Sequence, residues 1–331
     1  MSPLANGAKD TKGGAMNGTT RNCQSGGIGY ALVTAAYNEE KYLARALDSI
    51  VAQSVTPKKW IIVSDGSTDR TDEIVDRYAS QNSFIELYRV TEEHARNLTA
   101  QVNAINRGFA RLKDVDCSFI GNLDADISLE PTYFESLLGK FLQDPNLGLA
   151  GGFICEERAG EFWSRRANSV TSVAHAVQLF RRECLEALGG YRPFSWAGAD
   201  TYAEVSLRMK GWHVQSFPEL KAMHHRPTGS GFGNLRYSYR GGGMDFYMGV
   251  HPVFEIFRLV RRVPGKPYVL GSLARLAGFI LAYCRGEKRQ VPDDFVRFRR
   301  EEQMQRLRLY LMRPFRCFRE WISTANGRNS A

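Results

Sequence analysis

Short, apolar, β-prone runs alternate with amphipathic segments through the first half of the chain. The apolar runs predict strands at residues 30–36, 60–63, 84–88 and 117–121. The segments between them carry apolar residues at helical spacing and predict helices at residues 42–51, 71–78 and 98–112. Strands that alternate with helices in this way are typical of βαβ units. We therefore expect an α/β fold, with helices flanking a mixed, mostly parallel sheet.

Polar residues directly follow three of these predicted strands. Asn38-Glu39 follows the first strand, Asp65-Gly66 follows the second, and Asp124-Ala125-Asp126 follows the fourth. Ligands of open α/β sheets bind beyond the carboxyl ends of the strands, so these residues should line one crevice. Two carboxylates one residue apart point the same way in an extended chain and suit a divalent cation. The alternative is a solvated turn that caps a helix beginning near residues 128–131.

The second half of the chain predicts a helix at residues 133–142, a last strand at 214–217 and a further helix at 295–312. Residues 1–28 hold almost no bulky apolar side chains, so we expect a disordered tail there. The six cysteines have neither zinc nor disulfide spacing, which favours a reducing compartment. The chain shows no N-terminal apolar run typical of a signal peptide.

Positive charge is concentrated near the C-terminus. The formal net charge is +9, and residues 255–321 alone carry 16 Lys and Arg against 7 Asp and Glu. A basic region on a neutral body suggests an anionic surface as partner, and the absence of a nucleic-acid module favours a membrane over nucleic acid. The longest apolar stretch, residues 269–284, is short for a membrane span and contains Arg275.

Three motifs carry a family resemblance: VTAAYNE at residues 33–39, VSDGSTD at 63–69 and NLDAD at 122–126. Their order and spacing resemble family 2 glycosyltransferases with the GT-A fold, which transfer sugars from nucleotide-sugars with inversion at the anomeric carbon. The resemblance implies a catalytic domain at 29–232, with a nucleotide-sugar half at 29–127 and an acceptor half at 128–232. Residues 233–331 would then form a basic, amphipathic, helical C-terminal region.

The resemblance also implies roles for the crevice residues. Ala35, Tyr37, Glu39 and Asp65 would hold the nucleobase and ribose of a UDP-, GDP- or dTDP-linked sugar. Asp126 would bind Mg²⁺ or Mn²⁺ directly, with Asp124 nearer the ribose or a metal-bound water. Two positions depart from the common family pattern, because Ala35 often stands as Pro and Ser64 as Asp, but neither removes an expected ligand.

The acceptor half carries the expected base. Asp200 matches the family's general base, although the Glu that usually precedes it is Ala199 here. Gly190 and Tyr191 resemble the glycine turn that shapes the sugar pocket. Glu204 lies one helical turn beyond Asp200, where it orients Asp200, binds acceptor or is simply a solvated acid. We interpret His175, in an apolar stretch, as a packed core residue.

A histidine after the last strand often serves the metal or diphosphate in this family. His224 is favoured by register and His225 is the second choice. The guanidinium of Arg226 suits a diphosphate and completes the expected contacts to the donor sugar and acceptor.

These features predict a metal-dependent, inverting glycosyltransferase. The expected acceptor is a polyprenyl-linked saccharide in polysaccharide biosynthesis, reached from a peripheral position on the cytoplasmic face of the membrane. Basic amphipathic helices lie on anionic membranes, but the C-terminal helices could equally pack on the catalytic domain with their arginines in solvent. The alternatives are a polyprenyl-phosphate sugar transferase and a non-catalytic, nucleotide-binding scaffold. We expect no nucleic-acid partner.

Overall fold

The computed structural model describes residues 28–91, 98–158, 160–165, 167–226, 234–262 and 268–326. The expected disordered tail at residues 1–28 lies outside these ranges except for Ile28. The expected domain boundary at residue 232 also lies outside them. The disorder of the tail and the position of that boundary therefore stay predictions.

The strands and helices alternate along the first half of the described chain, as the apolar pattern predicts. The strands are β1 (Tyr30–Ala36), β2 (Lys59–Ser64), β3 (Ile85–Arg89), β4 (Phe119–Leu123), β5 (Ile127–Leu129), β6 (Leu147–Arg158), β7 (Glu161–Ser164), β8 (Val177–Arg181) and β9 (His213–His224). The helices are α1 (Leu43–Val51), α2 (Thr71–Gln81), α3 (Leu98–Arg111), α4 (Tyr133–Gln143), α5 (Arg182–Leu188), α6 (Ala199–Met209), α7 (Asn234–Tyr247), α8 (Pro252–Arg262), α9 (Tyr268–Cys284) and α10 (Asp293–Asn326).

These strands form one mixed sheet in the order β3-β2-β1-β4-β8-β6-β9-β5, with β7 paired to β6. Strands β3, β2, β1 and β4 are parallel to one another. Strand β8 is antiparallel to both β4 and β6, whereas β6 and β9 are parallel. The carboxyl ends of β1, β2 and β4 therefore meet at one edge of the sheet, where the sequence places its polar motifs.

Apolar side chains on both faces of the sheet explain why the first strands are almost continuously hydrophobic. In β1, Tyr30 and Leu32 face one core, and Ala31 and Val33 face the other. Helices α1, α2 and α4 cover the first face, and helices α3, α5 and α6 cover the second. A strand buried on both faces cannot alternate apolar with polar residues, so it reads as an apolar run.

The chain after Asp126 differs from the prediction. The alternative of a helix start at residues 128–131 is wrong, because strand β5 and a turn lie there, whereas the predicted helix begins at Tyr133 as expected. Strand β9 also continues well beyond the predicted 214–217, because its second half pairs with β5 and β6. Ile127 lies opposite His224 in this pairing. The pairing therefore brings the end of β9 to the acidic pair that follows β4.

The helical C-terminal region is confirmed. Helices α7 and α9 lie close together because glycines remove side chains from their contact, and a Cβ on Gly242 would collide with the carbonyl oxygen of Arg275. The first part of α10 packs on the catalytic domain, with Phe295 stacked on Tyr202 at a centroid distance of 5.1 Å. Arg299 on α10 donates to the carbonyl oxygen of Met248 at 2.7 Å. Arg299 is therefore used for packing in this part of α10.

Among the described helices, none combines the length and the apolar character that crossing a membrane requires.

Candidate active site

The loops after β1 and β2 are bonded to each other and form one wall of the crevice. The backbone N–H of Thr68 donates to Oδ1 of Asn38 at 2.8 Å, and the N–H of Glu39 donates to Oγ1 of Thr71 at 2.8 Å. Asn38 adopts a φ of 54°, in the left-handed region that asparagine tolerates. Asp65 is buried, and its N–H donates to the carbonyl oxygen of Ala36 at 2.9 Å. The predicted meeting of these two motifs is present in the structure.

The remaining expected nucleotide contacts lie on the same wall. Ala35 is half-buried and lies opposite Val63 in the β1–β2 register. Tyr37 follows directly and leaves 43% of its surface exposed. An aromatic ring held at a loop with this much exposure has the surface that a stacked base requires.

The acidic pair meets the end of β9. Nε2 of His224 lies 3.3 Å from Oδ2 of Asp126, and Nε of Arg226 lies 3.3 Å from the same oxygen. A second guanidinium nitrogen of Arg226 pairs with Glu39. Asp124 accepts from Nε2 of Gln101 at 3.2 Å. Residues from three separate motifs therefore converge on one polar cluster.

The electrostatics of this cluster follow from crowded carboxyl groups in a partly buried place. Burial raises the pKa of Glu39 to about 7, and Arg226 opposes this while Asp126 adds to it. Burial also raises the pKa of Asp124, against the opposing effect of His175. Burial lowers the pKa of His224, but the carboxyl of Asp126 outweighs it and the net pKa is raised. Additional positive charge in this cluster would therefore relieve repulsion between the carboxylates.

The donor set suits a hard or borderline divalent cation. Asp124 and Asp126 offer carboxylate oxygens, and His224 offers an imidazole nitrogen. The described residues do not, however, gather three or more His, Cys, Asp or Glu side chains in the geometry of a complete metal site. The residues present thus supply donor atoms of the right kind without forming a complete coordination shell.

The structure does not bring His225 to this cluster. Nε2 of His225 lies 2.8 Å from Oγ of Ser128, and its Nδ1 lies 3.3 Å from Oε2 of Glu157 and 3.0 Å from a guanidinium nitrogen of Arg45. Successive side chains of an extended segment point to opposite sides, so only one of the two histidines can face Asp126. That histidine is His224.

The turn at Gly190 and Tyr191 packs in the protein core and does not line the site. Gly190 has a φ of 85°, and a Cβ there would lie 2.7 Å from Oδ1 of Asn106. Asn106 accepts from the N–H of Tyr191 at 2.9 Å and donates to its carbonyl oxygen at 2.7 Å. The ring of Tyr191 is only 2% exposed and packs against Phe180. The expected contact of Tyr191 with sugar is therefore not seen, because its side chain belongs to the core.

Asp200 opens helix α6 at the other side of the crevice. The N-cap of this helix is Gly198, so Asp200 is not the capping residue. Ala197 and Gly198 both have positive φ values, 75° and 101°. A positive φ at alanine is strained backbone, and such strain concentrates at functional sites. This turn sets where helix α6 begins, and Asp200 lies in the first turn of that helix.

A cavity of about 290 Å³ joins the two sides of the site. Its lining includes Asp124, His175, Asp200, His224 and Tyr237. Asp124, the proposed base Asp200 and the favoured histidine His224 are far apart in sequence, yet all three border this cavity. We regard it as the candidate site for sugar and acceptor.

Glu204 is buried and organises the wall of the cavity. It accepts from the N–H of Val173 at 2.7 Å and from Oγ of Ser172 at 3.0 Å, and both residues line the cavity. Burial raises the pKa of Glu204 to about 7, the nearby Asp200 adds to the rise, and Arg208 opposes it. Of the alternatives left by the sequence, the solvated acid is wrong, since Glu204 is 4% exposed.

Sequence reasoning missed His175 and Tyr237 as cavity residues. Nε2 of His175 is buried and has no hydrogen-bond partner among the described residues, and the ring lies 5.1 Å from that of Tyr191. Tyr237 reaches the cavity from α7, in the C-terminal region. Because the sequence neighbours of His175 are apolar, the sequence gave no indication that this residue borders the cavity.

Comparison with known proteins supplies the family. A model described as "Glycosyl transferase family 2" matches residues 31–197, just over half of the chain. This chain belongs to glycosyl transferase family 2. The match spans the crevice motifs and ends shortly before Asp200. Family membership and the mixed, mostly parallel sheet confirm the expected GT-A fold.

Several polysaccharide synthases are related to this family 2 chain. Poly-beta-1,6-N-acetyl-D-glucosamine synthase of Staphylococcus aureus (strain COL) is 28% identical over 124 residues, which cover 38% of this chain and 28% of the relative. Chondroitin synthase of Pasteurella multocida (strain Pm70) is 28% identical over 160 residues, which cover 44% of this chain and 15% of the relative. The family 2 chain thus spans well under half of the length of these relatives.

Two solved structures have a course of the chain similar to this one. The mannosyltransferase PcManGT from Pyrobaculum calidifontis, in complex with GDP-Man and Mn²⁺, is 18% identical with a TM-score of 0.48, covering 87% of this chain and 82% of that chain. S. aureus TarS 1-349, in complex with UDP-GlcNAc, is 13% identical with a TM-score of 0.48, covering 83% of each chain.

Proposed function

We propose that this family 2 chain transfers a sugar from a nucleoside diphosphate sugar to a hydroxyl group, with inversion at the anomeric carbon. The observation that carries the proposal is the cavity bordered by Asp124, His224 and Asp200. An inverting transfer needs a base on the side of the sugar opposite the leaving group and no covalent nucleophile. A cavity with a carboxylate on the α6 side and the acidic cluster on the β4 side suits that arrangement.

On the donor side, the loops after β1 and β2 bind the nucleoside. Tyr37 offers a partly exposed ring for the base, and Asp65 and Glu39 offer carboxyl oxygens to base N–H or ribose hydroxyl groups. Arg226 links Glu39 to Asp126 and so lies between the nucleoside wall and the acidic pair. Its guanidinium donates charge-assisted hydrogen bonds to diphosphate oxygens at that point.

Asp126 and His224 would hold Mg²⁺ or Mn²⁺, with Asp124 beside them. Such an ion, when bound, stabilises the negative charge that develops on the departing diphosphate. The support for this assignment is the donor set, together with the burial of Asp124, which raises its pKa, and the neighbouring carboxyl of Asp126, which adds to the rise.

On the acceptor side, Asp200 takes the proton of the acceptor hydroxyl. The hydroxyl oxygen then forms a bond to the anomeric carbon while the bond from that carbon to the diphosphate oxygen breaks. The proton ends on Asp200, and the electron pair leaves with the nucleoside diphosphate. Glu204 holds the wall formed by Ser172 and Val173, so it positions this side of the cavity without touching it.

We propose a polyprenyl-linked saccharide as acceptor, in polysaccharide synthesis at the cytoplasmic face of the cell membrane. The polysaccharide synthases among the relatives support a role in making a polysaccharide. The basic C-terminal region supports a peripheral position on an anionic membrane, because such a surface attracts clustered arginine and lysine.

The test is nucleoside diphosphate release from UDP-, GDP- and dTDP-sugars, with Mn²⁺ or Mg²⁺ and with or without a membrane lipid extract. The proposal expects release from one donor class, dependent on metal and increased by the extract. Release from none of the donors, with metal-assisted nucleotide binding retained, would replace the transferase by a nucleotide-binding scaffold.

A further inference from the structure

Helix α8 buries a charged residue and exposes large apolar ones, which is the reverse of the usual arrangement in a helix on a water-soluble domain. Glu255 is 1% exposed, whereas Ile256 is 58% and Val260 is 65% exposed. The buried carboxyl pairs with Arg258 on the same helix. An acid is rarely buried unless paired, and large apolar side chains normally point inward from a surface helix. The outer face of α8 is therefore built for contact with something other than water.

Helix α9 repeats this arrangement. Leu270 and Leu273 are 62% and 55% exposed, and Ile280 is 46% exposed. On the inner side, Arg275 pairs with Asp245 of α7, whose carboxyl is fully buried. The buried ion pairs thus join α7, α8 and α9 behind an outer surface that is apolar.

Together these exposed residues form one surface, which we call the apolar face. We define it by six residues: Val253, Ile256 and Val260 of α8, with Leu270, Leu273 and Ile280 of α9. Their spacing of three, four or seven residues places them along one side of each helix. Contiguous apolar patches of this kind mark an interaction site for a protein or a membrane.

Basic side chains flank both ends of the apolar face. Arg261 and Arg262 end α8 and are exposed, and exposed Arg285, Lys288 and Arg289 follow α9. Apolar residues bordered by arginine and lysine fit a bilayer, where the apolar side enters the acyl region and the cations meet anionic headgroups. A second copy of this chain placed on the same face would bring these cations against one another, which disfavours self-association.

The apolar face lies close to the candidate active site. Helix α7 carries Tyr237 at the cavity, and α9 packs directly on α7, where a Cβ on Gly278 would collide with the carbonyl oxygen of Tyr239. A single helix therefore separates the apolar face from the cavity. A lipid-linked acceptor in the bilayer would emerge near the base Asp200.

We infer that the apolar face of α8 and α9 inserts shallowly into an anionic lipid bilayer and holds the cavity beside the membrane surface. This inference deepens the proposed function and rests on it for the lipid-linked acceptor. The inference narrows the membrane contact expected from the sequence to α8 and α9, with apolar insertion and not surface charge providing most of the binding.

The test is flotation of the full chain with vesicles of phosphatidylcholine containing about 30 mol % phosphatidylglycerol, at about 0.15 M and about 1 M NaCl. Apolar burial is not screened by salt, so most of the wild-type protein should float at both salt concentrations. The double variant that combines Leu270→Gln with Leu273→Gln should lower the partition coefficient between vesicles and water at least about tenfold. Val253→Gln with Val260→Gln tests α8 separately and should act in the same direction.

Leu142→Gln is the matched control, because Leu142 is 59% exposed on α4 of the catalytic domain. It should float like the wild type. Asp126→Ala, which removes a proposed metal ligand, should also float normally, so failure of docking is distinguishable from failure of the proposed chemistry. Nucleoside diphosphate release measured without lipid extract, together with the melting temperature, checks that the Gln variants are folded.

Three results would overturn the inference. The first is flotation of both Gln double variants at the wild-type level. The second is complete release of the wild type by high salt, which would indicate adsorption by the basic residues alone. The third is a wild-type dimer that does not float and that the α9 variant converts to a monomer, which would assign the face to a second copy of the chain.

Discussion

Replacement of Glu204 by Gln should change how stability depends on pH. Oε1 of Glu204 accepts both of its hydrogen bonds from Val173 and Ser172, so the amide oxygen of Gln can accept the same two. The side chain is 5% exposed, and burial raises its pKa from 4.5 to about 7. The substitution therefore removes a titrating group from the wall of the cavity while its hydrogen bonds are kept.

The sign and size of this change in stability follow from the protons bound by the folded and unfolded chains. The folded wild type keeps the Glu204 proton up to about pH 7, whereas the unfolded chain releases it near pH 4.5. Unfolding therefore releases a proton between these values, and the free energy of unfolding falls as the pH rises through that window. At about 1.4 kcal/mol for each pH unit, the total loss is about 3 kcal/mol and is complete above pH 7.

The assay is urea unfolding of wild type and Glu204→Gln at pH 5 and pH 8. The stability of the variant relative to the wild type should increase by about 2 to 3 kcal/mol from the lower to the higher pH. Glu183→Gln, on the exposed side of α5, controls for other titrating groups in the chain. A relative stability of Glu204→Gln that is the same at both pH values would refute the reasoning.

Two further comparisons separate residues that the sequence presents as equivalent. His224→Ala should raise the metal concentration for half-maximal nucleoside diphosphate release by about tenfold or more, whereas His225→Ala should leave that concentration unchanged and lower the melting temperature. Gly242→Ala should cost about 1–3 kcal/mol in urea unfolding because its Cβ meets the backbone of α9. Gly139→Ala, with open space around the added Cβ, should lose nothing. Equal effects of the two histidine substitutions would contradict the assignment of His224 to the metal. Equal effects of the two glycine substitutions would contradict the packing of α7 against α9.

The crevice was predictable because it follows from strand direction. Parallel strands end at one edge, so the residues after β1, β2 and β4 had to meet whatever the details of packing. The acidic pair and Asp200, the proposed base, were singled out from motifs that stand at fixed places on such a sheet. Periodicity also gave most of the helices and strands, since their apolar patterns reflect burial on one or both sides.

The direction in which a side chain faces was not predictable from the sequence where it depends on the pairing of distant segments. His224 and His225 are adjacent and alike, and only the pairing of β9 with β5 decides which one faces Asp126. Tyr191 follows the expected glycine turn, but Asn106 of α3 draws that turn into the core. His175 has apolar neighbours, and its place at the cavity depends on where β8 begins.

Helix α8 shows the same limit for amphipathic patterns. The sequence gives the spacing of its apolar and charged residues, but not which side faces the protein. The buried partners Asp245 and Arg275 come from other helices, and they draw Glu255 and Arg258 inward. The apolar side is left outward as a consequence.

The most direct test of the central claim compares wild type, Asp126→Ala and Asp200→Asn with the donor that supports release, saturating metal and lipid extract. The account predicts metal-dependent nucleoside diphosphate release by the wild type and its loss in both variants. Asp200→Asn should still bind the nucleotide-sugar, since it removes only the base. Release that survives in Asp200→Asn would contradict the assigned base and favour a phosphate acceptor, such as a polyprenyl phosphate, which needs less deprotonation.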